Sequence, residues 1–162
     1  GGTLYFVTGG KVIDPLHVNS LPLVVGYSGL KTDTVTLIYK VKESFANNKD
    51  GLNEIYNSIE ILVNNAKNAL LKKDWKTFGN LMNKNQEYLR QLRVSIEKLD
   101  NMIDGALNAG AYGAKLSGAG GGDCMIAVAP ENKKQEVEKA IVNAGGHIIN
   151  IKTSAEGVRI EQ

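Results

Sequence analysis

The sequence predicts an α+β fold, an antiparallel sheet with helices packed on one face. Three observations carry that expectation. Strand-like runs stand at both ends of the chain, the long middle section follows helical spacing, and the period switches back to strand after about residue 113. Strands at both ends with amphipathic helices between them bury their apolar faces most simply as one layer on another.

The elements follow in order. TLYFV (residues 3 to 7) is β-branched and aromatic, and Gly9-Gly10 separates it from KVIDPL, which predicts a hairpin. LVVGY (23 to 27) is the next strand. Thr32 and Asp33 then offer a cap for a helix over 34 to 46, which the loop ANNKDG closes. Leu52, Ile55, Ile59, Leu62, Val63, Ala66 and Leu70 share one helical face. Asp74 reads as the cap of a second helix carrying Trp75, Phe78, Leu81, Met82, Tyr88 and Leu89, the aromatics as core. Ser95 reads as the cap of a third, with Ile96, Leu99, Met102, Ile103, Ala106 and Leu107, ending near Gly110. Strands are expected over 114 to 117 and 124 to 129, then a helix over 131 to 144 stopped by Gly145-Gly146, then strands HIINIK and GVRIE. No internal repeat or low-complexity segment interrupts this order.

Composition narrows the function. The 162 residues suffice for one domain with a proper core, or a small domain with a remnant of another. Hydrophobic residues at 43% against 22% charged mark a globular chain rather than a disordered one. The net charge is only +2, with lysines scattered among acids, so no nucleic-acid partner is expected. No apolar run nears the roughly 18 residues of a membrane span, and no signal-like leader is visible, so no membrane partner is expected. Cys124 is the one cysteine, which rules out an intrachain disulfide and a cysteine-rich metal site. A reducing, cytoplasmic setting is the natural default. His17 and His147 have no matched partner, and Cys124 reads as a buried, inert thiol.

One stretch exceeds what folding needs. GAKLSGAGGGDC (113 to 124) holds five glycines between two apolar strands. Hairpin closure takes two to five turn residues with one or two glycines. With no side chain beyond a methyl, consecutive N–H groups can line a concave surface that binds anions, phosphates in particular. A flexible turn is the plainer alternative. The stretch lacks the lysine of a P-loop and opens no helix as a dinucleotide fingerprint does.

KLSGAGGGDCMIAV resembles the third motif of the GHMP kinases, a family of small-molecule kinases. The stretch LMNKNQEYLRQLRVSIEKLDNMIDGALNAGAYGAKLSG (81 to 118) is similar to the helix, L-x-V-S turn and second helix that precede that motif. VVGYSGLKTDT resembles the family's strand and T-G-x-x-x-x-T turn, and GGTLYF the segment following its catalytic stretch. Together these cover almost the whole chain.

The resemblance implies a ferredoxin-like C-terminal domain over 21–162, preceded over 1–20 by a hairpin that ends the N-terminal domain. It implies ATP and Mg²⁺ as cofactors and mevalonate as phosphoryl acceptor, at the 5-hydroxyl. Phosphomevalonate is the alternative acceptor, because Asp123 stands where many mevalonate-phosphorylating members have a further glycine. The phosphate and substrate loop would be Ser117, Gly118, Ala119, Gly120, Gly121 and Gly122. Thr34 and Ser28, matching the two threonines of the turn, would lie near substrate, with Lys31 as a nearby point charge. Asp123 would play a structural part. The ATP loop and catalytic Asp belong to an N-terminal half that precedes Gly1, so that half is the expected partner and this chain alone is expected to be inactive. A homodimer and feedback inhibition are left open; another member of the family, with the same loop and a different acceptor pocket, is a further alternative, and a non-catalytic ligand-binding α+β module is the reading from another class.

Overall fold

The computed structural model describes residues 2–18 and 20–153. A hairpin opens the chain, β1 (Thr3–Val7) against β2 (Val12–Leu16), with Phe6 opposite Ile13. It forms a two-stranded sheet of its own and rests on a long helix, α2 (Lys49–Leu71). There the Tyr5 hydroxyl donates to Asn64 Oδ1 at 2.8 Å, and Lys67 Nζ lies 4.1 Å from the Tyr5 ring centre and 3.2 Å from Asp14.

Among the described residues the main sheet has four antiparallel strands in the order β4-β5-β3-β6, where β3 is Leu23–Tyr27, β4 Gly113–Ser117, β5 Cys124–Val128 and β6 His147–Ile149. Side chains alternate across a strand, and here one set is buried and the other half-buried. Val24, Ala114, Leu116, Met125 and Ala127 point to the buried side. Two helices cover them, α4 (Glu97–Asn108) with Leu99, Met102, Ile103 and Ala106, and α5 (Lys134–Asn143) with Val137 and Ile141. Each side chain of Leu, Ile or Met size buried this way contributes about 1.5–3 kcal/mol. This is the expected α+β layer. The remaining helices, α1 (Thr34–Ser44), α2 and α3 (Trp75–Gln91), lie beyond it, with α3 along the outer strand β4.

Several local expectations are corrected. The first helix stops at Ser44 rather than 46, and ANNKDG is not all loop. Asn48 accepts from the Gly51 amide at 3.1 Å, so Lys49 onward joins α2. Asp33 alone caps α1, accepting from the Thr36 amide at 2.8 Å, while the Thr32 hydroxyl is used elsewhere. Asp74 caps α3 as expected. Ser95 does not cap α4: the N-cap is Ile96, without a side-chain bond, because the Ser95 hydroxyl donates to Asp100 Oδ1 at 2.8 Å. Trp75 and Phe78 are half-buried rather than core, meeting edge to face, while Tyr88 is half-buried but packs against the core. HIINIK pairs only over His147–Ile149, a short 3₁₀ turn (Glu131–Lys133) precedes α5, and GVRIE lies outside the described residues.

Candidate functional site

The glycine loop joins β4 to β5 and divides in two. Gly118 and Ala119 form an exposed tip, whereas Gly120, Gly121 and Gly122 are buried. The buried part is gripped from both sides. The Gly121 amide donates to the Val94 carbonyl at 2.7 Å, in the turn between α3 and α4. From the other side, the Thr32 hydroxyl donates to the Gly121 carbonyl at 2.5 Å and the Asp123 amide donates to the Leu30 carbonyl at 2.6 Å. A Cβ on Gly120 would run into the Val94 carbonyl, and one on Gly122 would stand 2.6 Å from the Leu30 carbonyl oxygen. Both residues have positive φ, +91° and +132°. These two glycines are therefore required by packing as well as by backbone conformation.

The tip is different. It is exposed, and among the described residues the amides of Gly118 and Ala119, like those of buried Gly120 and Gly122, make no hydrogen bond, nor does the Ser117 hydroxyl. Thr34 is exposed at the first turn of α1, whose leading amides have no intrahelical partners beyond the Asp33 cap. Thr34 and Ala119 line one cleft of about 760 Å³ together with Leu37, Val41, Phe45, Leu89 and Leu92. The structure thus brings Thr34 and the loop tip together. Free loop amides beside a helix N-terminus are the geometry that receives phosphate.

Ser28 lies under this arrangement, fully buried. Its hydroxyl accepts from the Leu30 amide at 3.2 Å and its own amide donates to the Asp123 carbonyl at 2.8 Å. Ser28 is placed to hold the loop that carries Leu30 and Thr32. Asp123 is exposed with φ of +64°, and it is the backbone, not the carboxylate, that ties it to Leu30 and Ser28. Next to it, burial and then the Asp123 carboxylate raise the Cys124 thiol above its ordinary pKa, which keeps it in the unreactive protonated form. Cys124 is half-buried, less enclosed than expected, and His17 and His147 are exposed.

No group of three or more His, Cys, Asp or Glu among the described residues is placed to hold a metal ion. The Asp33 carboxylate is engaged as a helix cap. No helix among the described residues is long and apolar enough to cross a membrane.

Sequence reasoning missed Val94, Leu30 and Thr32 as parts of the site. Val94 and Leu30 act through backbone carbonyls, for which side-chain identity gives no signal. Thr32 was legible only as a competing helix cap.

Residues 66–147, half the chain and including the whole glycine loop, match the family described as GHMP kinases C terminal. The chain belongs to the GHMP kinases. This GHMP kinase chain is 42% identical to the mevalonate kinase of Thermococcus sibiricus, over 99% of its own length and 49% of the relative's. It resembles the crystal structure of L. major mevalonate kinase in complex with R-mevalonate, with a TM-score of 0.78 at 28% identity, covering 86% of this chain and 44% of that one. The Methanococcus jannaschii mevalonate kinase superposes with a TM-score of 0.67 at 34% identity, over 82% of this chain and 39% of that one. The chain spans about half the length of the curated relatives it matches.

Proposed function

We propose that this chain is the C-terminal part of an ATP-dependent mevalonate kinase, which transfers the γ-phosphoryl group to the 5-hydroxyl of mevalonate in isoprenoid biosynthesis. The carrying observation is the exposed tip of Gly118 and Ala119 with unbonded amides, Ala119 lining one cleft with Thr34 at the start of α1. The similarity to mevalonate kinases over nearly the whole chain supports the choice of acceptor.

Phosphoryl transfer asks mainly for positioning and charge stabilisation. In this reading the amides of Gly118 and Ala119 donate to phosphate oxygens, and the hydroxyls of Ser117 and Thr34 orient phosphate and acceptor. Buried Gly120, Gly121 and Gly122, with Ser28 beneath, fix the tip so that little reorganisation accompanies the reaction. ATP supplies the phosphoryl group when bound. Mg²⁺ would accompany the nucleotide and neutralise phosphate charge when bound.

The remaining parts come from the complete kinase, in a cytoplasmic setting. We assign 1–20 to the end of its N-terminal domain and 21–162 to the C-terminal domain. The separateness of the β1–β2 sheet from the four-stranded sheet supports that division. The partner is then the N-terminal half of the same enzyme, bringing the ATP loop and catalytic Asp, and the chain alone is inactive.

Asp123 favours one second reading, a kinase acting on phosphomevalonate. Assaying the complete enzyme with ATP against mevalonate, phosphomevalonate and homoserine separates them. Turnover of mevalonate above the other two is expected, and its absence sinks the first reading.

A further inference from the structure

One buried side chain links the strand that enters the glycine loop to the turn that grips its floor. Gln86, on α3, is 1% exposed. Its Oε1 accepts from the Leu116 amide at 3.0 Å, two residues before Gly118 on β4. Its Nε2 donates to Ser95 Oγ at 3.0 Å and Asp100 Oδ1 at 3.1 Å. Ser95 directly follows Val94, whose carbonyl accepts from the Gly121 amide. Asn83, one turn earlier, accepts from the Ala114 amide at 2.9 Å. β4 is an outer strand of the sheet, so these side chains satisfy amides that an edge would otherwise leave unpaired. Satisfying the edge needs only the acceptor end of Gln86. The donor end goes further, to the turn on which the buried glycines sit.

We propose that Gln86 is a positioning residue for phosphoryl transfer. It fixes the strand entering the loop against the turn that carries Val94, and so sets where the tip amides of Gly118 and Ala119 stand. The proposal rests on the kinase reading above.

Two variants of the complete kinase test it. Gln86→Met keeps the volume and removes all three bonds. Gln86→Glu keeps the bond to Leu116 but turns a carboxylate onto Asp100. Arg90 already serves Asp100, Glu87 and Asp104 there, and Lys115 Nζ is engaged with the Leu116 carbonyl. Two facing carboxylates hold a proton more tightly than one, and the protonated acid restores the donor.

In folded Gln86→Met, kcat is expected to fall about tenfold with KM for the acceptor little changed. Its Gly121 amide should exchange about tenfold faster while amides of α5 keep their protection. Gln86→Glu should show the same kcat deficit at about pH 8 and recover part of it at about pH 6, unlike the wild type. Unchanged Gly121 protection in either folded variant overturns the proposal, as does a Gln86→Glu pH profile parallel to wild type. If the wild-type enzyme leaves mevalonate untouched, the kinase reading fails by itself, and Gly121 exchange still decides the role of Gln86.

Discussion

Thr32 and Gly121 stand 89 residues apart in sequence, yet the Thr32 hydroxyl donates to the Gly121 carbonyl at 2.5 Å. That bond locks the β3–α1 loop onto the floor of the glycine loop. Thr32→Val keeps the shape and deletes the donor, leaving a buried carbonyl without its partner. Such a loss costs about 1–3 kcal/mol. Denaturant unfolding of the complete protein should show that decrease, and an unchanged midpoint would mean the bond contributes nothing.

The division of the loop predicts that its glycines respond unequally to alanine. Gly118 has φ of +83° but open space where a methyl would stand, so Gly118→Ala should cost only the strain of a left-handed residue, about 1–2 kcal/mol. Gly120→Ala adds a collision with the Val94 carbonyl to the same strain, and should destabilise clearly more. Equal unfolding midpoints for the two variants would contradict the exposed-tip, buried-floor geometry.

Lys115 gives a pH-dependent prediction. Burial lowers its pKa below the ordinary 10.5 in the folded chain. Between that lowered value and 10.5 the unfolded chain binds the extra proton, so stability rises with pH through this window. Below the window the buried charge is a standing cost. Lys115→Met should remove the rise and be more stable than wild type at neutral pH. The check is the difference in unfolding free energy between the two proteins across an alkaline pH series.

The core was legible because apolar spacing determines which faces are buried. Leu99, Met102, Ile103 and Ala106 recur at helical intervals, and Val24 and Met125 alternate with half-buried neighbours. Side chains that bond to distant backbone were not legible. Ser95 looked like a cap because its spacing was plausible, and only the approach of Gln86 and Asp100 redirects its hydroxyl. Thr32 and Asp33 were equivalent as cap candidates until Gly121 engaged Thr32. The glycine run pointed to phosphate chemistry as a whole, but which glycines face outward depends on Val94 and Leu30, whose contribution is a carbonyl each.

In the proposed kinase the loop tip receives phosphate. Titrating the isotopically labelled complete kinase with a non-hydrolysable ATP analogue tests it most directly, by following the amide resonances of Gly118 and Ala119. The two amides should shift strongly and saturably, with Gly121, held by Val94, moving far less. Saturating nucleotide that leaves Gly118 and Ala119 unmoved would contradict the assignment of this loop to the phosphate site.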